Sequence, residues 1–232
     1  MIDFEPALVE GRLLRRYKRF LADVQIGAET VLAHCPNPGS MRTCAEDGGR
    51  VWLQRRTGRK LDWTWELAEV GDAMVCVNTA RANQLVAGAL AAGAIAELTG
   101  YPVHAREVAA GASRLDFLLS RGERNRDRAW VEVKSATMDG GGGAAAFPDA
   151  VTARGTRHLD ELIALRRRGF RAVLLFVVSR SKVTRVRPAD EIDATYGLAL
   201  RRAARAGVEV LAYAATLSPT RLAIGARLPV EL

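Results

Sequence analysis

Short runs of alternating apolar and polar residues fill the N-terminal part of the chain, with glycine, proline and aspartate between them. Alternation with a period of two places the apolar side chains on one face of an extended strand, so these runs predict half-buried β-strands. The expected strands span residues 8–12, 20–26, 29–33, 50–55, 61–67 and 73–77.

The remainder of the chain has the longer period of helices, interrupted by further strand-like runs. A nearly continuous apolar run at 171–179 predicts a central strand that is covered on both faces. The glycines at 140–143 predict a flexible loop. Helices are expected at 83–98, with Asn83 as a cap, at 150–168 and at 191–205, and strands at 103–108, 114–120, 129–135, 171–179 and 208–213.

These two rhythms predict a two-domain protein of the α+β or α/β class. Residues 1–80 are expected to form a small closed β-barrel, and their length suits the five-stranded OB type, a fold that often binds nucleic acids. Residues 81–232 are expected to form an α/β domain with a mixed central sheet.

Composition narrows the setting of the protein. No apolar run in the 232 residues approaches the length of a membrane span, and the first residues do not resemble a secretory signal. The three cysteines are an odd number without a CxxC pair, which favours reduced thiols and argues against a zinc cluster. We therefore expect a cytoplasmic protein that does not contact a membrane.

The net charge of +8 is unevenly distributed. Residues 1–79 contain 11 basic and 11 acidic residues, whereas residues 80–232 contain 23 and 15. A basic domain attracts polyanions such as DNA, although a solvated, arginine-rich surface would give the same count. Only four of the 34 basic residues are lysine, and one of them is Lys134.

Asp116, Glu132 and Lys134 form the strongest candidate for chemistry. Glu132 and Lys134 lie two residues apart on a predicted strand and therefore project from one face, and a neighbouring strand would bring Asp116 beside Glu132. Two close carboxylates repel unless a cation separates them, and Mg²⁺ (or Mn²⁺) suits such oxygen ligands, with the backbone carbonyl of Val133 as a third. An edge-strand salt bridge between Glu132 and Lys134 remains the alternative.

The same residues match the pattern of the PD-(D/E)XK nuclease superfamily, with Asp116 as the first acid and 132–134 as the E-x-K element. The whole chain also resembles the sugar fermentation stimulation protein (SfsA) family. The resemblance implies an N-terminal OB-like domain, a C-terminal nuclease-like domain, DNA binding and a link to sugar utilisation in bacteria. It departs at Pro38, where the family usually has threonine. The matching stretches are 15–20, 34–41, 65–67, 77–79, 131–135, 147–152, 154–155 and 158–159.

Several further residues are candidates with ordinary alternatives. Glu97 on the first predicted helix would add a carboxylate to the metal site, or would be solvated. Asp149 would cap the following helix or reach the site. His158 would contact a phosphate or water, or simply pack. Arg154 and Arg157 would meet DNA phosphates, or Arg157 would pair with a glutamate one helical turn away.

The N-terminal half also contains a basic stretch with an aromatic residue inside it, which suits a nucleic-acid surface. Continued strand alternation would place Tyr17 and Arg19 on one face and Lys18 and Phe20 on the other. A solvated basic strand is the alternative. The cluster of His34, Cys35 and Asn37 lacks an oriented base and is interpreted as a structured turn near the domain interface. The candidates for nucleic-acid binding in this stretch are Arg15, Arg16, Tyr17, Lys18 and Arg19.

The sequence therefore supports two hypotheses of different classes. The first is a nuclease that depends on Mg²⁺ (or Mn²⁺) and cleaves DNA, with RNA or a small nucleotide as other substrates. The second is a non-catalytic DNA-binding regulator of sugar (maltose) metabolism on a nuclease scaffold. Cleavage of both strands of a duplex would favour a homodimer.

Overall fold

The N-terminal half is a barrel, in which the strands at 9–17 and 21–26 bury alternate residues and those at 50–55 and 63–70 each bury four residues in a row. A computed structural model describes residues 1–58 and 60–232 of the chain. The N-terminal strands are β1 (Ile2–Asp3), β2 (Val9–Tyr17), β3 (Leu21–Ile26), β4 (Glu29–His34), β5 (Arg50–Arg55), β6 (Trp63–Val70) and β7 (Ala73–Cys76).

The barrel closes between its first and last long strands. The strand order is β4-β3-β2-β5-β6, and β4 then pairs with β6 in parallel through Ala33 and Trp63. Leu13, Leu53 and Trp65 are completely buried inside it. Five hydrogen-bonded strands around one apolar core confirm the predicted OB-type barrel, and β7 extends the sheet beyond β6.

The C-terminal half contains three helices and the remaining strands. Its elements are α1 (Ala80–Ala91), β8 (Val103–Ala110), β9 (Ser113–Ser120), β10 (Arg128–Ala136), β11 (Met138–Asp139), β12 (Ala144–Phe147), α2 (Ala153–Arg167), β13 (Arg171–Val178), β14 (Arg185–Pro188), α3 (Asp190–Arg205), β15 (Glu209–Leu217) and β16 (Arg221–Arg227).

The main sheet of this half is mixed, as predicted. Its order is β1-β16-β15-β13-β10-β9-β8, in which β10, β13 and β15 are parallel and the other neighbours are antiparallel. One face packs with α1 through residues such as Val131 and Leu85, and the other packs with α2 and α3 through residues such as Leu174 and Leu159. Every residue of β13 after Arg171 is buried, which confirms the predicted central strand.

The first strand of the chain does not join the barrel. Ile2 and Asp3 pair with Leu222 and Arg221 on β16, so β1 forms an edge of the C-terminal sheet. Phe4 follows it into the apolar core beneath α1 and is only 5% exposed. The sequence pattern did not predict this exchange, because a strand of two residues shows no alternation.

The first helix differs from its prediction at both ends. It begins at Ala80, whose N–H is bound by the side-chain oxygen of Asn78 at 3.2 Å, so Asn83 lies inside the helix and is not its cap. It ends near Ala92, before Gly93 with its positive φ of 66°. Residues 96–98 form only a separate turn of 3₁₀ helix.

The sequence pattern did not predict a second, small sheet in the C-terminal half, which has the strand order β11-β12-β14. The glycines at 140–143 lie in a turn between β11 and β12, and β12 also pairs in parallel with β14. Gly141, Gly142 and Gly143 all have positive φ, which explains why this turn is made of glycine. Another strand, β16, follows the run that was expected to be the last one.

Cys35, Cys44 and Cys76 are all buried free thiols. In residues 1–58 and 60–232, no helix combines the length and the apolar character needed to cross a membrane.

Candidate functional site

The candidate acidic pair lies where two strands of the main sheet separate. The antiparallel pairing of β9 and β10 ends at Phe117 and Val131. Asp116 lies just before Phe117 on β9 and occupies the gap, where its carboxylate accepts the N–H of Val133 at 2.7 Å. The N–H and C=O of a residue in a strand point toward the same neighbour, so the carbonyl of Val133 faces this gap as well.

Helix α1 orients Asp116 from the other side. The side-chain amide of Asn83 donates to the second oxygen of Asp116 at 2.6 Å. The helix itself is anchored to the barrel by Arg81, which donates to both oxygens of the fully buried Glu66 at 2.8 and 2.7 Å. The sequence pattern predicts Asn83 only as the cap of the first helix. Its contact with Asp116 depends on the packing of α1 against β9, which the pattern does not show.

Glu132 is 2% exposed and is bound at only one of its oxygens. Oε1 accepts hydrogen bonds from Nζ of Lys134 at 2.5 Å and from Nδ1 of His158. Oε2 is buried and has no hydrogen-bond partner in residues 1–58 and 60–232. A buried carboxylate oxygen without a partner is costly, and such an atom is suited to bind a cation.

His158 is held by two partners whose roles define its tautomer. Nε of Arg154 donates to Nε2 of the ring at 3.2 Å, so Nε2 is the acceptor and Nδ1 carries the proton that goes to Glu132. Nζ of Lys134 lies 3.3 Å from Nδ1 and contacts the protonated nitrogen without donating to it. Helix α2 thus holds the ring against Glu132.

The two carboxyl groups have opposite pKa shifts. Burial, together with the nearby charge of Glu132, raises the pKa of Asp116 to about 6 despite the hydrogen bonds from Val133 and Asn83. Burial also acts to raise the pKa of Glu132, but hydrogen bonds from His158 and Lys134 and the positive charge of Lys134 outweigh it and leave this pKa below its ordinary value. At neutral pH both groups are therefore ionised, which favours a cation between them.

The donor set suits a metal ion that needs few protein ligands. Among the described residues, no group of three or more His, Cys, Asp or Glu side chains is arranged to hold a metal. Zinc sites normally need such a group, whereas Mg²⁺ is often held by one or two carboxylates and keeps several waters. Asp116, the orphaned oxygen of Glu132 and the carbonyl of Val133 fit that pattern.

One buried tyrosine near the pair was not predicted. The hydroxyl of Tyr196 on α3 is buried, and no described residue forms a hydrogen bond with it. Burial raises its pKa, and the charges of Glu132 and Asp193 add to this effect. In the sequence Tyr196 is an ordinary apolar position of an amphipathic helix, so no local signal marked it.

A basic recess of about 480 Å³ adjoins the ring of His158. Arg114, Arg154 and Arg157 line it, and none of the three forms an ion pair with a carboxylate in the part of the chain that is described. Glu161, the expected helical partner of Arg157, instead accepts the N–H of Ala112 at 3.0 Å. The arginines remain available to an anion next to the carboxylate pair.

Glu97 is not brought to this cluster. It lies on the 3₁₀ turn and binds the hydroxyl of Tyr213 at 2.6 Å, and it also pairs with Arg227. Tyr213 belongs to the apolar cluster on the Val131 face of the sheet, which is opposite to Glu132. The prediction of a helix carboxylate beside the pair was wrong because α1 ends before Glu97.

Asp149 connects the two domains and does not cap the helix. Its carboxylate accepts the N–H of Met41 at 3.1 Å, and its carbonyl accepts the hydroxyl of Ser40 at 2.5 Å. The side chain of Thr152 caps α2 instead, by accepting the N–H of Gly155 at 3.0 Å. The turn that contains Asn37 thus lies at the domain interface, as interpreted from the sequence.

The basic stretch of β2 divides among different roles. Arg15 pairs with Asp23 at 2.7 Å, and the hydroxyl of Tyr17 donates to the same carboxylate at 3.1 Å. Arg16 donates to three backbone carbonyls of the interface turn, those of Asn37, Gly39 and Ser40.

The strand alternation expected beyond Tyr17 was wrong. Lys18 and Arg19 have left-handed φ values of 47° and 64°. They form a turn with Phe20 after the end of β2, so neither of the two opposed faces exists there.

Comparisons with known proteins agree along the chain. The family described as the SfsA N-terminal OB domain matches residues 14–77, and the one described as the sugar fermentation stimulation protein RE domain matches residues 80–221. The structure of Pyrococcus furiosus SfsA in complex with Ca²⁺ superimposes with a TM-score of 0.92 at 27% identity, covering 100% of this chain and 98% of that one.

Curated bacterial relatives are similar over nearly their full length. A sugar fermentation stimulation protein homolog of Pseudomonas aeruginosa is 56% identical over 236 residues, with 99% of each chain covered. A homolog of Pseudomonas putida is 51% identical and covers 99% of this chain and 98% of its own. On these matches, the chain belongs to the sugar fermentation stimulation protein family.

Proposed function

We propose that this protein hydrolyses phosphodiester bonds of nucleic acid with the help of a divalent cation, Mg²⁺ or Mn²⁺. The observation that carries the proposal is the acidic pair. Two ionised carboxylates lie at a gap of the sheet, and Oε2 of Glu132 is buried there without a hydrogen-bond partner among the residues that the structure describes. A protein that only binds DNA has no need for such a costly arrangement.

A relative supports the choice of a divalent cation. The Pyrococcus furiosus protein was solved in complex with Ca²⁺. Ca²⁺ and Mg²⁺ both prefer oxygen ligands, although Mg²⁺ accepts fewer of them from the protein. Asp116, Glu132 and the carbonyl of Val133 are the residues that we assign as ligands in this chain. When bound, the metal would polarise the scissile phosphate and lower the pKa of a water molecule.

The surrounding residues have separate tasks in this proposal. Lys134, oriented by its hydrogen bond to Glu132, would position the attacking water or stabilise charge on the transition state. His158 holds Glu132 in place, as partners beyond the metal ligands commonly do. Arg154 and Arg157 would contact the phosphates on either side of the scissile bond. These assignments correspond to a PD-(D/E)XK type of site.

Charge and fold both favour a nucleic-acid substrate. The excess of basic residues lies entirely in residues 80–232, the half that contains the carboxylate pair. The N-terminal domain belongs to the OB type, whose members commonly bind oligonucleotides. DNA is the substrate that we propose first, and RNA or a small nucleotide are the alternatives that the test must separate.

The test compares wild type with Lys134→Ala on single-stranded, duplex and branched DNA and on RNA, with Mg²⁺ or Mn²⁺. We expect cleavage by wild type that drops at least about a hundredfold in the variant, as for loss of a group that stabilises a transition state. Lys182→Ala is the matched control, because Lys182 is exposed and its ion pair, 3.8 Å long, is with the exposed Asp72. Equal cleavage by wild type and Lys134→Ala would contradict the proposal.

A non-catalytic role in regulation is the second candidate. The relatives carry a name that concerns sugar fermentation and no reaction. Tight DNA binding without metal-dependent cleavage of any substrate would favour this role. A metal-induced rise in the melting temperature of wild type but not of Glu132→Gln would still locate a cation at the pair.

A further inference from the structure

A groove of about 750 Å³ lies between the barrel and the start of α1. Leu21 on β3 pairs with His34 on β4, and His34 pairs in turn with Thr64 on β6. All three line the groove, as does Leu32, two residues before His34 on the same face of β4. The floor therefore crosses neighbouring strands at the place where the barrel closes.

An exposed aromatic ring stands at the edge of this floor. Phe20 lines the groove and is 42% exposed. It follows the turn in which Lys18 and Arg19 both have left-handed φ. Such a backbone costs on the order of 1 kcal/mol for each residue with a side chain, and it persists where the surrounding structure or a function requires it. Here the turn places the ring of Phe20 at the open side of the groove.

The groove is positively charged as well as apolar. Its described lining includes Arg56 and Lys60 and contains no aspartate or glutamate. Arg56 lies 3.6 Å from Glu66, but this carboxylate is already bound by Arg81 at 2.7 Å, so the three groups together keep one positive charge. Apolar rings beside basic side chains suit the bases and the backbone of a nucleic acid.

Helix α1 borders the groove and also contacts Asp116 of the carboxylate pair. Ala80 and Gln84 of α1 form part of its wall. Asn83 lies on the same side of that helix, one turn after Ala80, and donates to Asp116 at 2.6 Å. A nucleic-acid strand that leaves the groove past Ala80 and Gln84 would therefore be one helix side chain away from Asp116.

We propose that this groove binds single-stranded nucleic acid, with its bases stacked on Phe20 and His34, and leads the strand to Asp116 and Glu132. The inference rests on the proposed function for the role of the acidic pair. A duplex stacks its bases on each other and presents phosphates outward, so it offers little to a floor that contains Leu21 and Leu32. A single strand presents base faces that an aromatic ring can take.

The test is a binding measurement in EDTA, which does not depend on whether the protein cleaves. Fluorescence anisotropy would follow a labelled oligothymidylate and a blunt duplex of the same length. We expect the full-length protein to prefer the single strand, and Phe20→Ala to weaken that binding about fivefold or more with the duplex unaffected. Lys60→Gln should make single-strand binding less dependent on salt.

Leu14→Ala is the matched control, because Leu14 is 41% exposed on the same barrel and does not line the groove. This variant should bind like wild type. Equal single-strand binding by Phe20→Ala and wild type would overturn the inference, as would an equal loss on the duplex or with Leu14→Ala.

The two proposals fail separately. If Phe20→Ala loses single-strand binding and wild type does not cleave in Mg²⁺, the proposed groove is supported and the proposed reaction is contradicted. If wild type cleaves and Phe20→Ala binds the single strand as wild type does, the proposed reaction is supported and the proposed groove is contradicted.

Discussion

At the scale of single residues, the site is defined by how unequally its two carboxylates are held. Among the described residues, Glu132 accepts hydrogen bonds from a lysine ammonium and a histidine ring, whereas Asp116 accepts them from a side-chain amide and a backbone N–H. The better-supported group stays ionised over a wide pH range. Asp116 therefore responds to pH first, because its pKa lies near 6.

This difference predicts a pH-dependent change in stability. The pKa of Asp116 is about 6 in the folded protein and 3.8 in the unfolded chain. A carboxyl pKa that is raised by folding stabilises the folded protein fully at pH values below 3.8, and this contribution is lost as the pH rises through about 6. Asp116→Asn cannot ionise, so in EDTA it should gain stability relative to wild type between pH 4 and pH 6, by up to about 2 kcal/mol. Urea denaturation across this range measures the difference, and parallel curves for the two proteins would contradict the assigned pKa.

The residues with local signals were predictable, and the others were not. Glu132 and Lys134 are two apart on a strand, so their common face followed from the pattern. His158 was one of several polar residues on a helix, and only packing shows that its ring reaches Glu132. Asn83 and Tyr196 had no signal, since their partners lie on other elements.

At the scale of elements, α2 is the support of the site. It begins where Thr152 binds the N–H of Gly155, its first turn contains Arg154, and one turn after Arg154 it presents His158 to Glu132. Its first turn is the part of a helix most dependent on a cap, because the first N–H groups have no partner within the helix.

Removal of the cap is therefore expected to affect both stability and reaction. Thr152→Ala should lower the free energy of unfolding by about 1 kcal/mol and reduce cleavage, because fraying loosens the contact between His158 and Glu132. Thr152→Ser retains the hydroxyl and should behave like wild type. Equal losses in the two variants would show that the methyl group matters and the cap does not.

Long periodic elements were predicted well, and short ones were not. The barrel strands, β13, α2 and α3 each repeat their pattern several times. In contrast, β1 and β11 have two residues each, and β12 and β14 have four. A pattern that short cannot be distinguished from a loop, and only pairing with distant strands makes these segments extended.

At the scale of the whole molecule, the two domains are joined by a tight turn of the barrel. The interface turn at 37–41 is held by Arg16 from behind and by Asp149 from the C-terminal domain. Arg180 adds a second connection by binding the carbonyl of Thr43 and the carboxylate of Asp139. Contacts between residues more than a hundred positions apart were outside the reach of sequence patterns.

The fit of this turn gives a prediction about coupling between domains. A Cβ at Gly39 would lie 2.2 Å from both carboxylate oxygens of Asp149. Gly39→Ala should therefore lower stability by about 2 kcal/mol, and the substitution should cost much less in the presence of Asp149→Ala, which removes the clash. Thermal unfolding of the two single variants and the double variant measures the interaction. Additive effects would contradict this account of the turn.

The pairing of β1 with β16 has a consequence for dividing the protein. A fragment that begins at Ala80 would contain the whole matched C-terminal family and yet lack β1 and Phe4. In that fragment, the N–H and C=O groups of β16 that pair with β1 would be free to pair with a strand of another molecule. The apolar core beneath α1 would be exposed to solvent. The C-terminal family match therefore does not mark a part of the chain that folds by itself. A fragment that begins at Ala80 is expected to aggregate unless residues 1–4 are supplied as a peptide.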